Sequence, residues 1–266
     1  MRHASIGGER RVLPVNFAVL LALVLCCVSG KSIASENNTS IVLFEQGNHY
    51  YEKGEYDKAI NEYDKILAGG EESGPVYYNL GNAYFKNGKL GMAILNYEKA
   101  KLLMPRDADL DANYRFALAR VKAKVVSVKS IWKWRPLMTY SGIFTINELT
   151  LVSAGMFLTI LAVLALSMLL PRFRGQLVSC AFVLALLIIL NVSVIWHKTD
   201  EINRTAVTIV PEADAFFGPF DSATKFFTLP EGMTVSVLKT TDDWYKVKRA
   251  DDKIGWVKRS DVEKIR

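Results

Sequence analysis

The chain has 266 residues, a formal net charge of +6 at pH 7, and hydrophobic side chains at half of its positions. Much of the hydrophobic half lies in three apolar blocks, at residues 12–28, 149–170 and 177–196, so each remaining region must fold around a small core of its own. Basic residues interleave with acidic ones instead of forming a stripe, which argues against nucleic-acid binding. All three cysteines lie inside apolar blocks, which excludes a disulfide framework, a thiol nucleophile and a cysteine-ligated metal from the soluble regions.

Residues 1–34 have the layout of a signal peptide, with arginines first, then an apolar run, then small and polar residues. The small residues Ser32 and Ala34 predict cleavage after Ala34. Two alternatives stay open. The segment can remain as an uncleaved anchor, or Cys26 can be lipidated, although the bulky Leu25 before it is a poor match to a lipidation signal.

A repeat follows this segment. The motif Gly-Asn-His-Tyr-Tyr at residues 47–51 returns as Gly-Asn-Ala-Tyr-Phe at residues 81–85, an offset of 34 residues. The same offset joins Ala59 to Ala93 and Tyr63 to Tyr97. Small residues at these positions allow two helices to approach closely, while the tyrosines fill the space around the contact. Glycines at residues 54 and 88 lie where each unit should break into two helices. The pattern therefore predicts two helical pairs.

This pattern resembles a pair of tetratricopeptide repeats. A helix at residues 108–125 resembles the capping helix of such arrays, which gives a helical domain over residues 40–125. The resemblance implies a concave groove that binds a peptide or a protein segment. Transferred to this sequence, the groove residues are Phe44, Asn48, Tyr51, Tyr78, Asn82 and Phe85. Capture of a C-terminal carboxylate is not expected, because Phe44, Ala112 and Phe116 occupy the positions that would need cations. Alternatively, the aromatic residues pack on the capping helix or the membrane surface.

A juxtamembrane linker at residues 126–148 leads to two uncharged apolar runs, at residues 149–170 and 177–196. A membrane-spanning helix needs roughly 20 such residues. The short turn between the runs predicts a transmembrane hairpin, with both soluble regions on the same side. Local charge does not define that side, because Arg172 and Arg174 in the turn are balanced by basic residues before the first run. The signal-like N-terminus favours the outer face.

Short alternating segments follow, at residues 205–210, 234–238, 245–248 and 254–258, and predict a small all-β domain over residues 205–266. The domain resembles a bacterial SH3 domain through Gly-Pro at 218–219, Leu-Pro-Glu-Gly at 229–232, Trp-Tyr-Lys-Val at 244–247 and Gly-Trp-Val at 255–257. It departs at Ala-Phe-Phe, residues 215–217, where that family usually carries an asparagine and an arginine. Members often bind cell-wall peptides or partner proteins, and the departure weakens the case for peptidoglycan. The surface candidates are Trp244, Tyr245 and Trp256. For the two tryptophans, a place in the core or its rim is favoured over contact with a ligand.

The soluble regions contain no glycine-rich phosphate loop, no His-Glu-x-x-His motif and no workable set of serine, histidine and aspartate. We therefore expect that the chain is not an enzyme and needs neither a cofactor nor a metal ion.

The complete arrangement is multidomain. It combines an all-α tetratricopeptide repeat region, a two-helix transmembrane hairpin and an SH3-like barrel, and in that order it resembles the BatE family of bacterial aerotolerance operons. The resemblance implies a multi-pass protein of the bacterial inner membrane, encoded beside von Willebrand factor A-type membrane proteins and a MoxR-type ATPase. It also implies a scaffold that assembles or stabilises an envelope complex, with a link to oxidative-stress tolerance. The alternative function is a cell-wall tether or sensor whose barrel binds peptidoglycan.

Overall fold

The structure is a computed structural model that describes residues 36–122, 140 and 142–266. The signal segment predicted at residues 1–34, with its cleavage site and Cys26, lies outside the described residues, as does most of the linker predicted at residues 126–148. The described chain contains the three parts that the sequence predicts: a helical repeat region, two long apolar helices and a C-terminal antiparallel sheet.

The repeat region consists of five of the described helices: α1 (Glu36–Glu52), α2 (Tyr56–Ala68), α3 (Gly74–Lys86), α4 (Leu90–Leu103) and α5 (Ala108–Leu118). The first four helices form two pairs. A turn at Gly54 joins α1 to α2 and a turn at Gly88 joins α3 to α4, and the φ angles of these glycines are +77° and +78°. Glycine enters this left-handed region without steric cost, which explains why each helix ends there. Both turns lie where the sequence predicts them.

The small residues of the repeat allow close helix contact. A Cβ added at Gly47 would lie 2.4 Å from Cε1 of Tyr63, and one added at Gly81 would lie 2.7 Å from the Tyr97 ring. Both tyrosines are almost completely buried. In each unit, therefore, the ring of the second helix fills the space that the glycine of the first helix leaves open, as the 34-residue pattern predicts.

The capping helix is shorter than predicted. The sequence suggests a helix over residues 108–125, whereas α5 ends at Leu118 and is followed by turns. Just beyond this end, the Arg120 guanidinium lies 5.1 Å from the Phe85 ring and 4.8 Å from the Phe116 ring. The backbone N–H groups of Arg120 and Val121 donate to the carbonyls of Ala117 and Leu118, three residues back, so the chain tightens from α-helix into turns.

Two long helices form an antiparallel hairpin. Helix α6 (Ile146–Leu169) and helix α7 (Arg174–Arg204) are joined by a short 3-10 turn at Pro171–Phe173. Both are long and apolar enough to cross a membrane, and most of their large apolar side chains face outward. Their length and composition indicate membrane association. The helices extend beyond the predicted runs, because Thr145 and Glu148 form a capping box at the start of α6 and polar residues continue α7 beyond Trp196.

The contact between the two helices has coiled-coil spacing. The less exposed residues of α6 recur at alternating intervals of three and four, at 149, 153, 156, 160, 163 and 167. Those of α7 form a wider stripe with the same repeat, at 177, 181, 184, 185, 188, 191, 194 and 195. Asn191 is the polar residue that α7 contributes to this seam. Its Nδ2 donates to the Leu149 carbonyl and to Ser153 Oγ, both at 3.0 Å. Inside a bilayer such interhelical hydrogen bonds hold helices together, so Asn191 fixes the register of the hairpin.

The C-terminal domain is a seven-stranded antiparallel sheet in the order β3-β2-β6-β5-β4-β1-β7. Its strands are β1 (Thr205–Thr208), β2 (Glu212–Phe216), β3 (Lys225–Pro230), β4 (Thr234–Thr240), β5 (Trp244–Lys248), β6 (Ile254–Lys258) and β7 (Val262–Lys264). The four segments predicted from sequence correspond to β1, β4, β5 and β6. Strand β1 follows directly from α7, so the domain begins where the hairpin ends.

The barrel is docked on helix α4 of the repeats. Val207 and Ile265 of the barrel belong to the same buried cluster as the core of the repeat region. At the start of α4, the backbone N–H of Gly91 donates to Oε1 of Glu231 at 2.8 Å. A carboxylate at a helix N-terminus satisfies a free N–H and interacts favourably with the helix dipole. The barrel thus caps a repeat helix, and the two modules share one core.

Candidate protein-interaction site

The first helices of the two repeats border a cavity of about 290 Å³. Its lining combines amides, tyrosines and two carboxylates: Glu45, Asn48, Tyr51, Glu52, Tyr63, Asn79 and Asn82. Three of the six predicted groove residues, Asn48, Tyr51 and Asn82, are therefore brought together at one site. The cavity is near the lower end of the usual size of ligand pockets, about 300 Å³, so it has room for a few side chains of an extended segment.

The other three predicted residues do not line this cavity. The Phe44 ring packs 5.9 Å from that of Tyr63, and the Phe85 ring packs 5.6 Å from that of Phe116. The Tyr78 hydroxyl accepts a hydrogen bond from Asn113 Nδ2 at 2.8 Å. Phe44 therefore contacts α2, whereas Tyr78 and Phe85 contact the capping helix α5. Packing on the capping helix is one of the two alternatives that the sequence leaves open for these aromatic residues.

A hydrogen-bond network is repeated along this face. Asn48 Oδ1 accepts from the Tyr63 hydroxyl at 2.8 Å and from Asn79 Nδ2 at 2.9 Å. In the next unit, Asn82 Oδ1 accepts from the Tyr97 hydroxyl at 2.7 Å and from Asn113 Nδ2 at 3.0 Å. Each of the three residues in the first network has a residue of the same type 34 positions later in the second. The network therefore extends into α5, which occupies the place that the first helix of a third repeat would have.

Sequence reasoning identified Asn48 and Asn82 but missed Asn79 and Asn113. Both of these are asparagines separated by the repeat length of 34 residues, so the periodicity contained the necessary signal. The equivalent residue in the first unit is Glu45, which breaks the match between the two units. Asn48 and Asn82 have a structural role as well as a place in the groove, because each accepts a hydrogen bond from the hydroxyl of a nearly buried tyrosine.

Burial perturbs the tyrosines of this domain. Burial raises the pKa of Tyr63 to about 12, and the nearby negative charges of Glu45 and Glu52 act in the same direction. Burial also raises the pKa of Tyr84 to about 12, with smaller contributions from the carboxylates of Asp64 and Glu263. The phenolate form of both residues is thus disfavoured in the folded protein.

We expect the repeat region to lose stability in alkaline solution. A tyrosine whose pKa is raised on folding contributes stability that is present below pH 10 and is lost as the pH rises through about 12. Far-ultraviolet circular dichroism and phenolate absorbance, followed together on the whole chain in detergent, should show that helix loss and tyrosine ionisation coincide. Tyr84→Phe should weaken the pH dependence in this window. An unchanged alkaline transition in Tyr84→Phe would contradict the assignment.

The predicted barrel surface residues are mostly buried. Trp244 and Tyr245 are each 7% exposed, and Tyr245 belongs to the core of the sheet. Trp244 packs edge-on against Phe216 at 5.7 Å. Trp256 is partly exposed, and the Lys246 ammonium lies 5.8 Å from its ring. Of the three, only Trp256 offers substantial surface to a ligand.

Other aromatic side chains are more exposed on this domain. They lie in and beside the connection between β2 and β3, where Phe217, Phe220 and Phe226 are 63%, 55% and 40% exposed. The rings of Phe217 and Phe226 lie 4.4 Å apart. This cluster includes part of the segment in which the sequence departs from the usual bacterial SH3 pattern. The departure at residues 215–217 is the feature of the sequence that could have indicated this exposed aromatic cluster.

A larger cavity, about 710 Å³, lies where α4, α7 and the β4–β5 side of the barrel meet. Its charged lining contains both signs: Glu98, Lys101, Lys198, Glu201, Lys248, Arg249 and Asp252. Burial raises the pKa of Glu98, whose carboxylate accepts a hydrogen bond from the Tyr114 hydroxyl. Within the described ranges, no group of histidine, cysteine, aspartate and glutamate side chains is placed to hold a metal ion.

Comparison with known families identifies both soluble modules. A TPR repeat model matches residues 47–88, and a tetratricopeptide repeat model matches residues 75–107. A bacterial SH3 domain model matches residues 218–263. The comparison with curated proteins gives no match. The chain therefore carries tetratricopeptide repeats and a bacterial SH3 domain, two kinds of module that suggest protein–protein interaction or cell-wall binding.

Proposed function

We propose that this chain is a non-catalytic, membrane-anchored scaffold that holds a protein partner in its repeat groove and presents a bacterial SH3 domain at a fixed position beside it. The observation that carries the proposal is the docking of the barrel on α4, with a shared core and the contact between Gly91 and Glu231. A chain built only to tether one module would not need two interaction modules packed as one body.

The proposal has both modules on one side of a membrane, and the contacts at the open end of the hairpin support it. The start of α6 and the end of the apolar part of α7 are adjacent, because Asn191 bonds the Leu149 carbonyl. Arg106 of the repeat region pairs with Glu148 at the start of α6, with a nitrogen–oxygen distance of 2.6 Å. The barrel begins at Thr205, directly after α7. We assign this side to the outer face of a bacterial inner membrane, in agreement with the bacterial SH3 domain and the signal-like N-terminus.

The finer assignment rests on the resemblance to the BatE family. Under it, the partners are von Willebrand factor A-type membrane proteins, with a MoxR-type ATPase in the same system, and the scaffold supports an envelope complex linked to oxidative-stress tolerance. The competing function is a tether whose barrel binds peptidoglycan, for which the bacterial SH3 match is the supporting observation.

Crosslinking followed by gentle solubilisation and purification through a C-terminal tag tests the scaffold. Substitution of the groove asparagines by alanine would leave Tyr63 and Tyr97 hydroxyls without an acceptor. The better variant is Asn48→Asp/Asn82→Asp, which keeps the accepting oxygens and removes the amide donors. Asn61→Asp/Asn203→Asp, at two exposed positions outside the groove, makes the same change in charge.

The scaffold proposal expects von Willebrand factor A-type membrane proteins with the wild type and with the control, and their loss from the groove variant. Their recovery with all three proteins would keep the scaffold and move the contact elsewhere. Recovery of cell-wall fragments alone would favour the tether.

A further inference from the structure

We propose that the groove binds an extended segment through its backbone and selects a basic side chain at the end formed by Glu45 and Glu52. This inference rests on the proposed function, because it names the class of segment that the repeat groove takes. It adds a charge preference that neither the repeat pattern nor the family matches define.

The internal network determines which amide atoms are available to a ligand. Asn48 and Asn82 each use Oδ1 to accept two hydrogen bonds, so their Nδ2 groups remain as donors. Asn79 and Asn113 use Nδ2 as donor, so their Oδ1 atoms remain as acceptors. Donors and acceptors thus alternate along the face at the repeat period. An extended backbone offers the complementary alternation of carbonyl and N–H groups.

The charge at this site is negative. The cavity lining contains Glu45 and Glu52 and no lysine, arginine or histidine. Both carboxylates are exposed, and neither pairs with a lysine or arginine of the described residues. Glu45 and Glu52 are seven residues, or about two turns, apart on α1, so they lie on the same face of that helix. A lysine or arginine of a bound segment would supply the missing partner, whereas an acidic side chain or a C-terminal carboxylate would be repelled.

Glu45 and Glu52 lie on α1, whereas positive charge lies beside α3 and α5. There, Arg120 covers the rings of Phe85 and Phe116. A segment that places its basic residue beside Glu45 and Glu52 avoids this cation. The charge distribution therefore favours one direction of the bound segment over the reverse.

Peptide display on the full chain in lipid nanodiscs tests the inference. A random decapeptide library is selected against the wild type, and one selected peptide is then measured by fluorescence anisotropy. The groove variant is Glu45→Lys/Glu52→Lys. The control, Glu72→Lys/Glu212→Lys, makes the same charge change at exposed carboxylates outside the groove.

We expect selected peptides to share a lysine or arginine at one position. Glu45→Lys/Glu52→Lys should lower the affinity by at least about tenfold, the effect of losing one charge-assisted contact, and the control should change it by less than about twofold. A peptide with glutamate at the shared position should recover affinity for the groove variant alone.

The possible failures are distinguishable. Enriched peptides without a shared basic position, or equal affinity for the wild type and the groove variant, would overturn the charge preference and leave the groove as a binding surface. Failure to enrich any peptide over empty nanodiscs would contradict the groove itself, and with it both this inference and the contact surface of the proposed function.

Discussion

Replacement of Gly91 by alanine is expected to release the barrel from the repeats. An added Cβ would lie 2.4 Å from the Thr208 carbonyl oxygen and 2.8 Å from Cα of Ile209. Both are backbone atoms of the barrel, so neither can move aside as a side chain does. Alanine is the better helix former by about 1 kcal/mol, and any loss of stability must therefore come from this contact. Overpacking of this kind costs about 1–3 kcal/mol.

The measurement is hydrogen exchange of residues 205–266 in the whole chain, together with thermal unfolding in detergent. Gly175→Ala is the control, because a Cβ at Gly175 meets open space and should leave exchange unchanged. Glu231→Gln keeps an accepting oxygen and removes only its charge, so its effect should be smaller than that of Gly91→Ala. Unchanged protection of the barrel in Gly91→Ala would contradict the docking.

The docking could not have been predicted from sequence. Gly91 and Glu231 are 140 positions apart, and each belongs to a motif with a sufficient local explanation. Gly91 lies near a turn of the repeat, and Glu231 lies in the Leu-Pro-Glu-Gly segment that resembles other bacterial SH3 domains. Local patterns identify modules, because each module repeats a short-range rule. Contacts between modules depend on the shapes of their surfaces, and the residues that form those surfaces do not recur at a regular spacing in the sequence.

The same distinction explains the results within each module. The repeats were predicted well, because helix pairing depends on small and large residues at a fixed offset. Strands β2, β3 and β7 are not among the segments that the sequence predicts. The inward positions of β2 are alanines, at 213 and 215, which give a weak hydrophobic alternation. Trp244, for which the sequence favours the core or its rim over a ligand contact, has Phe216 packed edge-on against it. Its own segment gives no indication of this partner.

Docking also has a consequence for binding. If the repeats and the barrel were joined only by a flexible linker, two partners could adopt many separations. A shared core and the capping of α4 by Glu231 hold both surfaces at one separation. Partners that bind at both surfaces would then meet in one arrangement, with less loss of entropy than a flexible tether requires. This is the physical basis on which the chain would act as a scaffold.

Substitution of Ile94 by alanine is the second test of the shared core. Ile94 in α4 is fully buried. A Cβ added at Gly232 of the barrel would lie 2.5 Å from Cδ1 of Ile94, so this side chain packs directly beneath the barrel. Removal of a buried isoleucine to alanine costs about 2–5 kcal/mol, since it removes packed groups and leaves a cavity. We expect this loss in thermal or denaturant unfolding of the whole chain.

Ile66→Ala separates loss of the core from loss of docking. Ile66 is also almost fully buried, but it lies in α2, which packs against α1 and α3. Both substitutions should destabilise the repeats by a similar amount. Ile94→Ala alone should also increase hydrogen exchange in β1 and the Pro230–Met233 turn under conditions where the repeats remain folded. If both variants leave the barrel equally protected, the barrel folds independently of the repeats. The fixed separation of the two surfaces would then need a different explanation.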